Sequence, residues 1–188
     1  PGVSADIEFQ PADFIQVNQA VNQKMVTEAL ELLSPSPDSR VLDLYCGLGN
    51  FTLAVARRAA MVTGIEGSVA MVGRAAANAA RAGVENVQFV AGDLARPDAL
   101  DAFAGEAIHR VLLDPPRSGA AAVLDAVAAF APARIVYVSC HPGTLARDAQ
   151  RLTSKLGYTL AAAGVMDMFP QTAHIESMAL FTRGPADD

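Results

Sequence analysis

Short apolar runs alternate with longer amphipathic stretches along most of the chain. Between Asn18 and Leu33, the positions Val21, Met25, Ala29, Leu32 and Leu33 fall on one face at helical spacing. The breaker cluster "SPSPDS" (Ser34 to Ser39) ends that helix, and "RVLDL" then reads as a buried strand. "GLGN" leads into a helix carrying Phe51, Leu53, Ala54 and Val55. "MVTGIE" is the next strand, and "GSVAMVGRAAANAARAG" a helix closed by Gly83. "VQFVAGD" and "HRVLLD" are the third and fourth strands and "RIVYVS" the fifth, with the Ala-rich helix "AAAVLDAVAAFA" between the last two. A helix from Pro142 to about Leu156 follows, and "YTLAAAGVMDMF" with "ESMALFTR" reads as an antiparallel pair.

Apolar strands alternating with helices predict an α/β fold whose mostly parallel sheet is covered by helices on both faces. Ligands of such sheets sit beyond the carboxyl ends of the strands. The strand ends here carry Asp43, Glu66, Asp93, Asp114 and Cys140. A single acid at such a place is explained by capping of the next helix. A polar or reactive group at every strand end predicts a site.

Composition narrows the function. With 188 residues, 52% of them hydrophobic, the chain can bury the core of one domain. The formal net charge of −6 excludes a global positive field for nucleic acid, so an RNA ligand would need a local basic patch or help from elsewhere. The two cysteines, Cys46 and Cys140, match no metal-ligand spacing. They suit a disulfide or a reducing cytoplasm equally well. Acidic residues at Asp6, Glu8 and Asp13 argue against a secretory signal, and no apolar run is long enough to span a bilayer. A cytoplasmic location is the expectation. Pro1 stands where an initiating methionine would, which leads us to expect a piece of a longer polypeptide, with 1–17 a lead-in and 18–188 the catalytic domain.

"DLYCGLGNF" (Asp43 to Phe51) is a glycine loop between strand and helix, in which Gly47 and Gly49 let the backbone approach a ligand. A dinucleotide fingerprint would need glycine where Thr52 stands. Glu66, ending the second strand, can accept hydrogen bonds from both ribose hydroxyls. Asp93 follows Gly92 at a place suited to an adenine amine. Together they favour an adenosine ligand without pyrophosphate, S-adenosylmethionine, over NAD. Asp43 has two open readings, a brace for the loop or a partner for the methionine amino group.

"LLDPPRSG" (Leu112 to Gly119) forms a rigid lip, since its prolines fix the backbone. Asp114 is a candidate anchor for cofactor or substrate, and Arg117 for a phosphate or a base edge, with a solvated turn as the alternative. In "IVYVSCHPGTLARD", Pro142 suits a first helical position, which puts Cys140 at or just before a helix N-terminus, where the positive dipole end favours thiolate. Cys46 reads as a small buried hydrophobe. His109 and His174 read as structural or loop residues, and His141 as a shaper of its loop. Phe169 and Pro170 fit either a pocket wall or the core.

"DFIQVNQAVNQKM", "VLDLYCGLGNFTLAVA", "GIEGS", "LLDPPRSG", "VSCHPGTLARD" and "HIESMALF" together resemble the RNA (uracil-5-)-methyltransferase family, in order and over nearly the whole chain from about Phe9. The "FIQVN" form is most similar to the bacterial 23S rRNA branch rather than the tRNA branch. The resemblance implies a Rossmann-like class I methyltransferase fold that uses S-adenosylmethionine and releases S-adenosylhomocysteine. It implies cofactor contacts at Gln16, Tyr45, Gly47, Gly49, Asn50, Glu66, Asp93 and Asp114. Cys140 matches the nucleophile that adds to C6 of a uridine, and Glu176 the general base. Without the resemblance, Glu176 would read as a salt-bridge or strand-edge acid. Members of the family usually carry an upstream RNA-binding β-barrel, and many a cysteine cluster holding an iron–sulfur centre; neither motif is present here. The expected partner is RNA, with no membrane and no defined oligomeric state. A tRNA enzyme and a noncatalytic cofactor- and RNA-binding module are the alternatives, the latter opposed by Cys140 and Glu176.

Overall fold

A computed structural model describes residues 7–10, 18–167 and 175–184. Helix α1 (Gln19–Leu33) begins at Asn18, whose side-chain oxygen accepts the Val21 N–H at 3.2 Å. It ends at Ser34, which turns left-handed (φ 45°). Its last carbonyls are capped from the sheet: Arg110 Nε donates to Leu33 O at 3.1 Å and Arg134 Nη1 to Leu32 O at 3.0 Å.

The strands are β1 (Arg40–Leu44), β2 (Met61–Glu66), β3 (Val87–Ala91), β4 (Arg110–Leu113), β5 (Arg134–Ser139), β6 (Thr159–Met166) and β7 (Glu176–Thr182). They form a sheet in the order β3-β2-β1-β4-β5-β7-β6. Neighbours from β3 to β5 pair in parallel, whereas β7 runs antiparallel between β5 and β6. The strand order reverses between β1 and β4, the place where ligands settle in open α/β sheets.

The remaining helices are α2 (Asn50–Ala56), α3 (Val69–Arg81), α4 (Leu124–Ala129) and α5 (Pro142–Lys155). One core joins Leu42, Leu44, Val111, Leu113, Ile135 and Tyr137 to Leu124 of α4 and Leu152 of α5. The other joins Val41, Val62, Leu112, Val136, Val138 and Met178 to α1 and α2. Successive strand residues point to opposite faces. By that alternation Asp43 shares the face of Val41, Asp114 that of Leu112, and Glu176 that of Met178. Asp114 keeps the phase because its N–H still donates to Leu44 O, at 3.2 Å. Three rim carboxylates thus share the α1/α2 side.

Two predicted elements are shorter than expected. The third strand stops at Ala91 rather than running to Asp93, because the Asp93 carboxylate accepts the Ala95 N–H at 3.0 Å and turns the chain. The Ala-rich segment is helical only over Leu124–Ala129. Its start forms a turn, in which the Ala120 N–H donates to Asp148 (2.8 Å) and the Tyr137 hydroxyl (3.1 Å). Among the described residues, no helix is long and apolar enough to cross a membrane.

Candidate active site

The loop from β1 to α2 leaves the sheet while still bound to it. The N–H groups of Tyr45 and Cys46 both donate to Ile65 O, at 2.8 and 3.1 Å. Tyr45 (φ 65°), Gly47 (φ 56°) and Gly49 (φ 91°) are all left-handed, a conformation that costs glycine little. Glu66 braces the loop from the next strand. Its Oε2 accepts the Gly47 N–H at 3.2 Å and its Oε1 the Ser68 N–H at 3.0 Å. The Tyr45 ring packs on the core, where burial raises its phenol to about 12.

Asp43 lies fully buried beneath this loop. Its Oδ2 accepts the Thr52 hydroxyl at 2.5 Å, while Oδ1 is a buried acceptor with no hydrogen-bond partner. Burial, opposed by the Thr52 bond, pushes the carboxyl up to about 7. Thr52, read in the sequence only as a missing glycine, is therefore the clasp between α2 and β1. Asn50 exchanges two amide hydrogen bonds with Asn22 of α1, at 2.9 and 3.1 Å, so its side chain ties helix to helix. Asp93 is exposed beyond β3 and makes its bond to Ala95. Cys46 is a buried thiol, as expected, and burial pushes it far above its ordinary value.

The second half of the rim is set by β7. Because β7 is antiparallel, its first residue arrives where the parallel strands end. Ser139 pairs with Ser177, which leaves Cys140 and Glu176 as the next residue on each chain at the end of the ladder. Glu176 is buried, and loss of solvent raises its carboxyl above the ordinary range. Asp114 is raised to about 7 by burial and then by the charges of Glu176 and Asp43. Cys140 is partly buried. Burial and the Glu176 and Asp114 charges push its thiol up, while Arg117 pulls it down.

Cys140 thus lies just before the helix, as expected, while burial shifts its thiol up rather than towards the thiolate. The N-cap of α5 is His141, whose Nδ1 accepts the Thr144 N–H at 3.2 Å. Cys140 stands one residue outside the helix, among acids. His109 is structural too: its Nδ1 accepts the Arg40 N–H at 2.9 Å. Arg117 is exposed on the lip. Gln16, Phe169, Pro170 and His174 lie outside the described residues.

Sequence reading missed the groups that hold the lip and the loop. Asp148 of α5, almost fully buried, accepts the Tyr137 hydroxyl at 2.7 Å and the Arg147 Nε at 2.8 Å, besides the Ala120 N–H. Arg147 also donates to Ser118 O at 2.9 Å. Asn78 of α3 is buried beside Ala75 and Ala79. An amide at a buried helix position among alanines was a legible signal; the Asp148 network, joining residues distant in sequence, was not. Among the described residues no cluster of His, Cys, Asp and Glu could hold a metal ion.

Residues 6–184 match the profile of the family described as tRNA (Uracil-5-)-methyltransferase. The chain is 57% identical over 187 residues to the 23S rRNA (uracil(1939)-C(5))-methyltransferase RlmD of Alkalilimnicola ehrlichii, covering 100% of itself and 42% of that protein. It is 53% identical to the enzyme of the same name from Methylococcus capsulatus, covering 97% of itself and 41% of that protein. The crystal structure of Pyrococcus abyssi tRNA (uracil-54, C5)-methyltransferase in complex with S-adenosyl-L-homocysteine superposes with a TM-score of 0.81 at 28% identity, over 95% of this chain and 42% of that one. Synechocystis magnesium protoporphyrin IX methyltransferase, at 19% identity and a TM-score of 0.69 over 94% of this chain and 90% of that one, shares the fold. The architecture is that of the Rossmann-like class I methyltransferases.

Proposed function

Because the chain belongs to the tRNA (uracil-5-)-methyltransferase family, we propose that it forms the S-adenosylmethionine-dependent catalytic part of an enzyme that methylates C5 of a uridine in 23S rRNA. The rRNA assignment rests on the 57% identical relative, against 28% for the tRNA-named structure. The chain spans about two-fifths of those relatives' lengths, 42% and 41%. Its net charge of −6 supplies little of the phosphate neutralisation that RNA affinity needs. That task falls to the parts of the longer relatives beyond this chain.

The site fits the cofactor. Glu66 meets one backbone N–H on each oxygen, which leaves acceptor capacity for two ribose hydroxyls. The unpartnered Oδ1 of Asp43 is a buried acceptor under the glycine loop. Tyr45, Gly47, Gly49 and Asp93 line the same rim, and Asp114 stands between them and Cys140. When bound, S-adenosylmethionine supplies an electrophilic methyl group and departs as S-adenosylhomocysteine.

The single observation that supports the mechanism best is the β5–β7 register, whose last pair, Ser139 with Ser177, leaves Cys140 and Glu176 as the next residue on each chain. Uracil C5 is a poor nucleophile. The Cys140 thiol loses its proton to solvent water, and the resulting thiolate Sγ bonds to C6, moving the C5=C6 electron pair to C5 and the O4 enolate. C5 then accepts the methyl group. Glu176, whose carboxyl burial makes a stronger base than an exposed carboxylate, takes the C5 proton. That electron pair restores C5=C6 as the C6–Sγ bond breaks and the thiolate leaves. The uridine must be flipped from its stack to reach the rim. Incubation with S-adenosylmethionine and RNA carrying 5-fluorouridine tests this, since fluorine cannot leave as a proton. A covalent RNA adduct that disappears in Cys140→Ala is expected; an adduct that survives the substitution overturns the mechanism.

A further inference from the structure

Asn78 is fully buried in the middle of α3, and each hydrogen-bonding position of its amide is used. Oδ1 accepts the Glu8 N–H at 3.0 Å and the Arg81 guanidinium at 2.8 Å. Nδ2 donates to Glu8 O at 3.3 Å and to Leu48 O at 3.2 Å. Glu8 also forms an ion pair with Arg81. One side chain thus reads both backbone groups of a residue in the 7–10 strap and one carbonyl of the glycine loop.

Leu48 lies between Gly47 and Gly49, both left-handed. The peptide joining Leu48 to Gly49 is held on both edges. Its N–H donates to Cys46 O at 2.9 Å, within the loop's own turn, and its carbonyl meets Asn78. Flanked by glycines, that peptide has unusual freedom to rotate unless something outside the loop fixes it. The other buried positions of α3 are the alanines at 75 and 79, so core packing alone would be served by a small apolar residue. A buried amide is costly unless its bonds are made, and here they are made only when strap and loop are both in place.

We propose that Asn78 is a positioning residue for S-adenosylmethionine, fixing the glycine loop through Leu48 and tying it to the strap at Glu8. The inference rests on reading that loop as the cofactor loop. Removing the tie lets the 48–49 peptide sample orientations that do not bind.

Calorimetric titration with S-adenosylmethionine, run well below each protein's unfolding midpoint, tests it. Asn78→Ala and a chain shortened to begin after residue 10 are each expected to bind about tenfold more weakly, the loss of roughly one net hydrogen bond. Combining the two should weaken binding no further than the worse single change, because both break one connection. Ala75→Gly is the control: it lowers the unfolding midpoint and leaves affinity unchanged. Should Asn78→Ala fail to fold, Glu8→Pro removes the N–H given to Oδ1 together with the Arg81 ion pair, and is expected to weaken binding in the same direction, beyond any effect of Glu8→Ala, which loses the ion pair alone. Folded variants that bind as the parent does overturn the inference. No binding by the parent overturns the cofactor reading instead. A shortened chain with parental affinity, beside a weak Asn78→Ala, overturns the link to the strap.

Discussion

The Thr52 hydroxyl donates to Asp43 Oδ2 at 2.5 Å, while Oδ1 of the same buried carboxyl has no partner. Half-satisfied, Asp43 holds its proton up to about pH 7 when folded, and Asp114 does the same. Unfolded, both titrate in the ordinary carboxylate range near 4. Between those limits the folded chain binds more protons than the unfolded one, so stability falls as pH rises through the window. Urea midpoints at pH 5 and pH 7.5 should differ in that sense, and Asp43→Asn should flatten the dependence. A midpoint difference unchanged in Asp43→Asn would count against the buried, protonated carboxyl.

In the proposed mechanism Cys140 and Glu176 act at different moments, so their substitutions should fail differently. Cys140→Ala should abolish methyl transfer and form no RNA adduct. Glu176→Gln should still form the C6 bond and accept the methyl group, then stall because the C5 proton stays. On ordinary uridine RNA it should therefore accumulate a covalent complex while turnover drops by about 100- to 10,000-fold. Denaturing gels read the complex and tritium release from C5 reads the proton. Free, fully released 5-methyluridine RNA at parental rates in Glu176→Gln would assign the base elsewhere.

Most of the sheet was legible because its strands are continuous apolar runs bounded by breakers: β1, β2 and β5 lie where "RVLDL", "MVTGIE" and "RIVYVS" placed them. Asp43, Glu66 and Asp114 were legible as rim groups by the same logic. Sideways claims on backbone were not legible. The Ala120 N–H bonds to Asp148 and Tyr137, and Asp93 ends β3 early through its own turn. The bond between the Asn50 amide and Asn22, 28 positions away, was not legible either. The thiol of Cys140 was judged from its helix alone, whereas burial, and after it the Glu176 and Asp114 charges from β7 and the end of β4, push it up.

Those charges make Cys140 reactivity a probe of the rim. Its thiol lies above the ordinary value, and Arg117 works against that shift. Iodoacetamide modification of Cys140 should rise with pH through the alkaline range, with buried Cys46 unreactive in the folded chain. Arg117→Ala removes a stabilising positive charge from the thiolate and should move the midpoint to higher pH. Glu176→Gln removes a negative one and should move it lower. The arginine effect should shrink in high salt, since Arg117 is exposed. Shifts of the opposite sign would show that these groups do not share one site.

The lip carrying Arg117 is fastened by a network that the reaction itself never uses. Asp148 is almost fully buried, and each of its oxygens is bound, one by Tyr137 and the Ala120 N–H and the other by Arg147. Gly119 sits directly against it in a left-handed conformation (φ 80°), and a Cβ there would come within 2.5 Å of Arg147 Nη2 and 2.6 Å of Asp148 Oδ2. Gly119→Ala therefore combines backbone strain with a clash and should cost about 1–3 kcal/mol. Tyr137→Phe removes one donor to a carboxylate that keeps others, and should cost about 1–2 kcal/mol. Asp148→Ala takes the acceptor from the Tyr137 hydroxyl and leaves the Ala120 N–H only its 3.1 Å bond to that hydroxyl, and should cost more than Tyr137→Phe. Because Asp148 and the Tyr137 hydroxyl bond each other and share the Ala120 N–H, the costs of Tyr137→Phe and Asp148→Ala should not add, measured by denaturant unfolding as a double-mutant cycle. Additive costs would mean that Tyr137 and Asp148 support the lip separately.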